Sequence, residues 1–588
     1  MRRTKIVCTL GPATKSDEVL RQLIENGMNV ARQNFSHGDH AGHKETHDQV
    51  VRVAKEMGKP VATLLDTKGP EVRLRKFAEG KKYEIFQGDS FTLTTRDVVG
   101  DSKCAAISYK GLADDIDIGT KILIDDGNIS LRCSEIIKNP DGTADIICTI
   151  LNGGLLSDNK GLNIPGVKLS MPYVSEVDES DIRFAARESF DFIAASFVTC
   201  ADDIVAVRKI LEEEGRPDIR IIAKIENGEG VKNIDEILRV TDGIMVARGD
   251  MGVEIPFEDI PQIQKMLISK CYNSNKTVIT ATQMLESMIH NSRPTRAETT
   301  DVANAIYDGT SAIMLSGETA AGKHPVEAVK TMALIAETTE KAIDYKSRFY
   351  KHETKDSANV SNAISHATVS AAMDLGATAI ITVTKTGSTA RMISRYRPEC
   401  PVISCTTSEV TMRQTALSWG VIPIMAEETM TSTDDLIDMA VQKATEAKLL
   451  DNGDLVVITA GVPLGVSGTT NLMKVHIVGD VLVTGTGVTK GAVTSNVCVC
   501  ADEKEALERF ESGHILVIPK TSNAILPLMK SATGIITEEN GADSHAAIVG
   551  MALDIPVIVG AANATQILRS GTVVSIDAEK GIVCTERS

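Results

Sequence analysis

The chain has 588 residues, which is too long for one core and predicts roughly three to five domains. Its hydrophobic fraction of 43% is enough to fill them. The formal net charge of −17 argues against a nucleic-acid partner and against an anionic membrane surface, because both would repel the chain. Eleven scattered cysteines without a CxxC framework predict free thiols in a reducing cytoplasm, and no apolar run reaches the roughly 18 residues of a membrane span.

Eight short apolar runs alternate with helical patterns in the first and third segments of the chain. The runs are Lys5 to Thr9, Met28 to Gln33, Val61 to Asp66, Phe192 to Phe197, Ile219 to Ile225, Gly243 to Val246, Thr277 to Ala281 and Ser311 to Leu315. The helical patterns include Ser16 to Asn26, His43 to Met57, Asp202 to Glu214 and Thr299 to Tyr307. This alternation is typical of parallel βα units, and eight of them predict a closed (β/α)8 TIM barrel.

Other segments of the chain differ in character. Residues 73–168 are rich in Gly, Asp and Thr, with turn signals at Asp125 and Pro140, and they predict an inserted all-β domain. A new βα series then begins, with strands near Ala379, Val402 and Leu455. The predicted domains are the barrel (1–72 and 169–345), the insertion (73–168), an α/β domain (346–473) and an extra C-terminal domain (474–588).

Polar side chains collect where the predicted barrel strands end, which is the end at which TIM barrels carry their active sites. They include Arg32, Asn34, Ser36, His37, Asp66, Thr67, Lys68, Glu71, Arg73, Ser196, Lys224, Glu226, Arg248, Gly249, Asp250, Thr280, Thr282, Ser316 and Glu318. Glu226 and Asp250 follow neighbouring strands and form a hard oxygen pair suited to Mg²⁺ or Mn²⁺. Lys224 lies two positions before Glu226, on the same face of the strand, where a cation could offset charge on a phosphoryl group. A structural ring of salt bridges is the alternative interpretation.

Sequence blocks at these strand ends resemble those of the pyruvate kinase family. They follow the family's order: NFSHG from Asn34, LLDTKGPEVR from Leu64, AKIEN from Ala223, MVARGDMGVE from Met245, TATQMLESM from Thr280, RPTRAE from Arg293, DVANAIYDG from Asp301 and MLSGETA from Met314. With weaker segments, the resemblance covers nearly all of residues 1–473. It implies a barrel with an inserted β lid and a C-terminal α/β domain, and the conversion of phosphoenolpyruvate and ADP to pyruvate and ATP in glycolysis. It also implies two divalent ions, K⁺ and a homotetramer.

The resemblance also implies roles for individual residues. Glu226 and Asp250 would bind the first Mg²⁺, Lys224 would stabilise the phosphoryl group, and Arg32 would clamp the phosphate. Thr282 would lie near the carbon that is protonated and act through water. The other implied substrate contacts are the backbone around Gly249 and Asp250, and Ser316. The implied K⁺ ligands are Asn34, Ser36, Asp66 and Thr67. Glu71 occupies the position at which a carboxylate accompanies K⁺ dependence in the family. The implied nucleotide contacts are Asn34, His37, Lys160 and Arg73, of which Arg73 is also expected to be catalytic.

One position departs from the family pattern. Gln33 stands between Arg32 and Asn34, where the family mostly has an apolar residue. Strand alternation directs it away from both neighbours and toward the helical layer, so we expect it to affect packing more than chemistry.

The turn Thr384, Lys385, Thr386, Gly387, Ser388 and Thr389 follows a predicted strand and precedes a helical pattern. Its hydroxyls and backbone N–H groups are typical of an anion site, and it matches the family's loop for an effector phosphate. We expect a phosphorylated allosteric effector here; a simple helix cap is the alternative.

The tail contains SHAAIVG and LDIPVIVG, which resemble the mobile domain of phosphoenolpyruvate-using enzymes, with His545 at the place of the phosphate-accepting histidine. Asn540 and Asp543 depart from that family's usual Gly-Gly-x-Thr-Ser-His. A carboxylate two residues from the histidine should repel phosphate, so a structural or regulatory role is favoured over phosphotransfer.

Three further patterns are weaker. His40, His43 and His47 have helical metal-ligand spacing, but they stand among charged residues and are interpreted as part of a solvated face. GTGVTKG at Gly485 lacks the helix that a dinucleotide loop requires, and Cys498 and Cys500 are interpreted as packing residues.

Two rival functions stay open at this point. One is a different phosphoenolpyruvate enzyme on a barrel, such as a lyase or mutase, which would need neither Arg73 nor Lys160. The other is a catalytically silent metabolite sensor, against which intact Lys224, Glu226 and Asp250 argue.

Overall fold

A computed structural model describes residues 1–351, 359–427, 433–461, 470–479 and 481–585. The chain divides into two compact units, one of residues 1–366, 382–428 and 461–470, the other of residues 367–381, 429–460 and 471–588. Within the described residues, no helix is both long and apolar enough to cross a membrane.

The first unit begins with three βα repeats of the barrel. Its strands are β1 (Lys5–Thr9), β2 (Val30–Asn34) and β3 (Ala62–Asp66), and its helices are α1 (Asp17–Glu25) and α2 (His40–Glu56). Ser16 and Asp39 cap the two helices by accepting hydrogen bonds from the first-turn backbone, which explains where each helix starts.

An inserted β domain follows the third barrel strand. Its strands are β4 (Val72–Arg73), β5 (Tyr83–Ile85), β6 (Ser90–Thr94), β7 (Cys104–Ala106), β8 (Lys121–Ile124), β9 (Ile129–Lys138), β10 (Ala144–Asn152), β11 (Gly154–Leu156) and β12 (Gly161–Asn163). Seven of them form one sheet in the order β4-β12-β8-β9-β10-β6-β7, and β11 pairs with β5. The domain also contains the short helix α3 (Leu112–Asp115), so the all-β prediction holds except for this one turn of helix.

Five more strands complete the barrel: β13 (Phe192–Ala195), β14 (Arg220–Ile225), β15 (Gly243–Ala247), β16 (Thr277–Ala281) and β17 (Ala312–Leu315). The helices are α4 (Glu176–Glu188), α5 (Ala201–Glu213), α6 (Gly228–Lys232), α7 (Ile234–Val240), α8 (Arg248–Glu254), α9 (Ile260–Asn273), α10 (Arg296–Asp308), α11 (Gly317–Ala320) and α12 (Pro325–Lys341). The closed order is β1-β17-β16-β15-β14-β13-β3-β2, which confirms the predicted barrel. Buried apolar side chains, including Leu64, Ile222 and Met245, fill its interior, so the polar groups lie at its rim.

The next elements along the chain are α13 (Tyr345–Lys351), α14 (Val360–Asp374), β18 (Ala379–Val383), α15 (Ser388–Arg395), β19 (Val402–Thr406), α16 (Glu409–Thr415), β20 (Val421–Met425), α17 (Thr433–Glu446) and β21 (Leu455–Gly461). Strands β19 and β20 pair in parallel, with Val402 opposite Val421. The strands predicted near Ala379, Val402 and Leu455 are therefore present.

The second unit ends with a large mixed sheet. The elements from residue 470 onward are β22 (Thr470–Ile477), β23 (Val481–Thr484), β24 (Thr486–Gly487), β25 (Ala492–Val499), α18 (Glu503–Arg509), β26 (Ile515–Ile518), α19 (Leu526–Met529), β27 (Gly534–Thr537), α20 (His545–Leu553), β28 (Val557–Val559), α21 (Ala564–Ile567), β29 (Val573–Asp577) and β30 (Ile582–Thr585). Eight of the strands form one sheet in the order β23-β30-β29-β25-β26-β27-β28-β24. Helix α20 packs on β27 and β28 and places His545 at its first position.

Candidate active site

Lys224 lies at the centre of a buried polar cluster at the carboxyl ends of the barrel strands. Its Nζ is 3.0 Å from Asp66 Oδ1, 2.8 Å from Ser196 Oγ and 2.9 Å from Glu226 Oε1. Burial alone would lower the pKa of Lys224, but the carboxylates of Asp66 and Glu226 outweigh it and hold the pKa above its usual value. Lys224 is therefore a fixed cation at neutral pH.

Arg32 lies on strand β2, which pairs with the Asp66 strand β3, and it is 7% exposed. Its Nε donates to Asp66 Oδ2 at 2.6 Å and its Nη1 donates to Thr9 Oγ1 at 2.8 Å, while Nη2 bonds no residue that the structure describes. Burial opposes ionisation of Asp66, yet Arg32 and Lys224 lower its pKa and keep the carboxylate charged. One carboxylate thus orients two cations toward the same space. Thr9, which helps to hold Arg32, lies at the end of β1 and had no role in the sequence prediction.

Glu226 and Asp250 provide the expected oxygen pair. Glu226 is fully buried; its Oε2 accepts from the backbone N of Phe197 at 2.6 Å, whereas Oε1 accepts no aligned hydrogen bond from the residues described. Burial raises the pKa of Glu226, Asp250 raises it further and Lys224 opposes the rise, which shows that the two carboxylates are electrostatic neighbours. Oε1 lies 2.9 Å from the Lys224 ammonium, and no other described residue donates to it. A divalent cation could bind to this oxygen, so the two carboxylates fit Mg²⁺ or Mn²⁺.

The remaining ligands would have to come from water and substrate. Among the residues described, no group of three or more His, Cys, Asp or Glu side chains has the geometry to hold a metal ion. Mg²⁺ usually keeps several waters and takes one or two carboxylates together with substrate oxygens, so a two-carboxylate site is consistent with this ion.

Thr282 is held in a strained conformation beside Gly249. Thr282 and Gln283 both have positive φ, 67° and 54°, which is unusual for residues other than glycine and often marks functional sites. The Thr282 Oγ1 accepts from the backbone N of Gly249 at 2.7 Å and donates to the carbonyl of Ala281 at 2.6 Å. These two bonds use the single hydroxyl proton and one lone pair, leaving one lone pair to accept from water or substrate.

Arg248 fixes this segment, and the sequence prediction gave it no role. Its Nη2 donates to the carbonyl of Thr282 at 2.8 Å, and its Nη1 is 2.7 Å from Asp301 Oδ1 on α10. The residue had been noted only as a strand ending. Its role depends on contacts with two elements distant in sequence, so no local pattern could have indicated it.

Ser316 follows strand β17 and keeps a buried hydroxyl. Its Oγ makes no hydrogen bond with the described part of the chain, while its backbone N donates to Glu318 Oε2 at 2.7 Å. The available hydroxyl is consistent with the predicted substrate contact.

The predicted K⁺ ligands lie on two adjacent strands. Asn34 is directly opposite Asp66 where β2 and β3 pair, and Ser36 and Thr67 follow these strands. The Ser36 backbone N donates to Asn34 Oδ1 at 3.1 Å, and Thr67 Oγ1 accepts from the Ser196 backbone N at 3.1 Å. This set of oxygen donors fits a monovalent cation.

The predicted nucleotide residues of the inserted domain form neighbouring ion pairs. Arg73 donates to Glu71 Oε2 at 2.6 Å and to the carbonyl of Asn159 at 2.8 Å, and Lys160 Nζ is 2.5 Å from Asp125 Oδ1. Arg73 lies opposite Gly161, the residue after Lys160, so the two cations come from adjacent strands. His37, in contrast, is exposed, and its carbonyl lies 2.7 Å from Nε2 of His43.

The Thr384 to Thr389 loop has the local form that was predicted. It follows β18 and leads into α15, with Gly387 at φ 73° as the residue before the helix. Thr389 Oγ1 is 2.8 Å from Thr470 Oγ1, and the carbonyl of Thr386 accepts from both Arg220 and Arg391.

His545 begins α20 in the second unit. Its Nδ1 is 2.9 Å from Thr521 Oγ1 and its Nε2 is 3.1 Å from Asn523 Oδ1, so both ring nitrogens have neutral partners. A structural or regulatory role of His545, rather than phosphotransfer, stays a prediction; these contacts agree with it, because a phosphate would have to displace one of them.

The weaker patterns behave as expected, with one correction. Among the described residues, His40, His43 and His47 do not meet in a geometry that could hold a metal ion, but they do not form a solvated face either. His43 stacks on Phe35 at 3.8 Å between ring centroids, and His47 is 5% exposed and packs on Phe190. Helix α2 turns this side toward α4, a tertiary contact that the charged neighbours in sequence conceal.

Gln33 also follows its prediction: it is buried, and its Oε1 is 3.1 Å from His43 Nδ1 on the helical layer. No helix follows Gly485, since strands β24 and β25 come next. Cys498 and Cys500 are buried free thiols with their sulfurs 3.7 Å apart, as packing residues would be.

Comparison with known protein families covers most of the chain. Residues 1–329 match the barrel domain of pyruvate kinase and residues 362–476 match its alpha/beta domain. The chain belongs to the pyruvate kinase family. It is a phosphotransferase, and residues 510–581 match the mobile domain of PEP-utilising enzymes.

Full-length relatives support this assignment. Pyruvate kinases of Sporosarcina psychrophila and Geobacillus stearothermophilus are 49% and 48% identical, each over 99% of this chain and over 99% and 98% of their own length. A crystal structure of a pyruvate kinase from Cryptosporidium parvum is 41% identical with a TM-score of 0.76, covering 81% of this chain and 96% of that one.

Proposed function

We propose that the chain transfers the phosphoryl group of phosphoenolpyruvate to ADP, giving pyruvate and ATP in glycolysis. The observation that carries this proposal is the fixed cation Lys224, 2.9 Å from Oε1 of Glu226, a buried carboxylate oxygen to which no other described residue donates. A phosphoryl group in transfer carries negative charge on its oxygens, and a fixed cation with a bound divalent ion provides the opposite charge.

Each residue would have a defined part in this reaction. Mg²⁺ or Mn²⁺ at Glu226 and Asp250 would supply positive charge to the substrate oxygens. Arg32 would bind the phosphate through its remaining Nη2, and Lys224 would stabilise the phosphoryl group between donor and acceptor oxygens. The backbone at Gly249 would orient the substrate carboxylate. Thr282 would accept a hydrogen bond from the water that protonates the enolate carbon.

The inserted domain would cover the nucleotide. Arg73 and Lys160 would bind ADP phosphates, and Asn34 and His37 would contribute from the barrel side. The oxygen donors Asn34, Ser36, Asp66 and Thr67 would hold K⁺, whose requirement we associate with Glu71. Exclusion of water by the inserted domain would favour transfer to ADP over hydrolysis.

The test is a coupled assay of ATP formation from phosphoenolpyruvate and ADP, with and without Mg²⁺ and K⁺. Lys224→Met should lower kcat by about 10²- to 10³-fold, the effect of removing one preorganised electrostatic group. Lys209→Met, an exposed lysine on α5, is the matched control and should retain the wild-type rate. Full activity of Lys224→Met would contradict the proposal, and pyruvate formation without ATP would favour the lyase or mutase alternative.

We also propose that the loop Thr384, Lys385, Thr386, Gly387, Ser388 and Thr389 binds the phosphate of an allosteric effector. Its support is the family resemblance, the exposed residues Lys385 and Thr386, and the left-handed Gly387 directly before α15. Among sugar phosphates and nucleoside monophosphates that activate the wild type, Ser388→Ala should raise the half-activating concentration by about five- to tenfold. Ser102→Ala, on an exposed turn of the inserted domain, should not.

A homotetramer and a cytoplasmic location are part of the same proposal. Family resemblance supports the first, and the scattered free cysteines support the second. Light scattering of the purified chain would measure the first directly.

A further inference from the structure

A positively charged cavity lies between the start of strand β16 and helix α15, at the opposite end of the barrel from Lys224. Its cavity volume is about 20 Å³, and it opens to solvent. Its charged lining residues are Lys276, Arg391, Arg395 and Arg397, and Ser311 and Ser394 are among the hydroxyls. Within the described part of the chain, no Asp or Glu lines it.

Three of the cations are hydrogen-bonded only by neutral groups. Lys276 Nζ donates to the carbonyl of Thr241 at 2.7 Å, and Arg391 Nη1 donates to the carbonyl of Thr386 at 3.0 Å. Arg397 donates to backbone carbonyls and, at 3.0 Å, to Ser311 Oγ. None of the three forms a salt bridge with a described residue. Carbonyls satisfy N–H groups, but they leave the net charge uncompensated.

The guanidinium of Arg397 also lies 4.9 Å from the centroid of the Trp419 ring. An aromatic face partly stabilises a cation but does not neutralise it. Arg397 has φ 52°, a left-handed backbone conformation that residues other than glycine rarely adopt. The charge is therefore placed here at some conformational cost.

Burial makes this positive charge costly. It lowers the pKa of Arg391 well below its usual range, with Arg220 adding to the effect, and it lowers the pKa of Arg397 to about 9. The nearby carboxylate Asp242 is already shared, since it is 2.6 Å from Arg208 and 3.3 Å from Arg220. The region has more cations than carboxylates, and an anion from solution would restore the balance.

We propose that this cavity is a binding site for a phosphate-class oxyanion, either inorganic phosphate or the phosphate group of a small metabolite. Guanidinium and ammonium groups with adjacent serine hydroxyls are the donors that tetrahedral oxyanions prefer, and the small volume suits a single oxyanion group rather than a nucleotide. The site is separate from the predicted loop Thr384 to Thr389.

Arg391 connects the two sites. It bonds the carbonyl of Thr386 in the loop, and an anion in the cavity would compete with that carbonyl for the guanidinium. Binding in the cavity is therefore expected to change how the loop is held, in addition to stabilising the fold.

The test is thermal unfolding of the full chain in inorganic phosphate and in chloride at matched ionic strength. Phosphate bound to the folded state raises Tm in proportion to ln(1 + [L]/Kd). Lys276→Met separates the cavity from the Thr384 to Thr389 loop, because Lys276 donates to Thr241 whereas Arg391 donates to the loop carbonyl of Thr386. Lys276→Met and Arg391→Met should each remove one saturable component of the phosphate-induced rise. Lys330→Met, an exposed lysine on α12, should keep it. An unchanged rise in both cavity variants would overturn the proposal.

A second arm distinguishes the source of the phosphate. If glycerol 3-phosphate reproduces the Lys276-dependent component, the ligand is a phosphate ester; if only inorganic phosphate does so, it is the free ion. Both variants replace partly buried cations that form no salt bridge with a described residue by apolar groups, so we expect them to fold. Should neither fold, anomalous scattering from selenate in wild-type crystals decides: a peak beside Lys276 and Arg391 supports the site, and no peak overturns it.

Discussion

Replacing Thr282 by valine should separate proton transfer from phosphoryl transfer. Valine keeps the shape of the side chain but removes Oγ1, which accepts from Gly249 N at 2.7 Å and donates to the Ala281 carbonyl at 2.6 Å. The third interaction lost is the proposed hydrogen bond from a water. Lys224, Arg32 and Glu226 are not touched, so the charged part of the site should persist.

The magnitude follows from these bonds. Positioned proton transfer contributes about 10²- to 10⁴-fold to a rate, so exchange of the pyruvate methyl protons with solvent should fall by that factor. ATP formation should fall less, because enolpyruvate released into water is protonated there. The unpaired N–H of Gly249 should cost about 1–3 kcal/mol of stability.

Thr282→Ser is the matched control. Serine keeps both hydrogen bonds, and it lacks the β-branch that is unfavourable at the φ of 67° found here. Methyl-proton exchange by Thr282→Ser should therefore stay near the wild-type rate. Proton NMR in D₂O measures methyl exchange, and the coupled assay measures ATP. Exchange by Thr282→Val at the wild-type rate would refute the assignment of Thr282.

Three further outcomes are expected. Glu226→Gln should raise the Mg²⁺ concentration for half-maximal rate by at least about tenfold, and an unchanged Mg²⁺ titration would exclude Glu226 as a ligand. Asp125→Asn should free Lys160 from its 2.5 Å ion pair and so lower KM for ADP. The decrease should be no more than about fivefold, because partly exposed ion pairs are weak. A higher KM would show that Asp125 aids ADP binding. Burial lowers the pKa of His47 in the folded state. The stability contributed by neutral His47 is therefore fully present above about pH 6.5 and is lost as pH falls. The Tm of His47→Met minus that of the wild type should increase on acidification. A difference independent of pH would contradict this.

Much of the barrel could be predicted because its signals are local. The run Thr277 to Ala281 is a β-rich segment followed by polar residues, and the observed strand has the same bounds. The helix Leu112–Asp115 could not be predicted, since four residues are too few to show a helical period. Family blocks indicated the residues of the site, but not their pairings.

The pairings depend on distant parts of the chain. The contact of Arg32 with Thr9, and of Arg248 with Asp301, join elements that are far apart in sequence. The inward side of α2 was interpreted wrongly for the same reason: His47 meets Phe190 only after the helices have packed. Sequence periodicity describes one element at a time and cannot reveal such partners.

Strand β14 has a mechanical consequence. It begins with Arg220, whose guanidinium is held by Gln414 and by the carbonyl of Thr386, and it carries Lys224 near its far end. At about 3.3 Å per residue, roughly 13 Å of stiff, hydrogen-bonded backbone separates the two. A displacement of Arg220 would therefore be transmitted to Lys224 along the backbone of this strand, and to β13 and β15 through the hydrogen bonds that pair them with it.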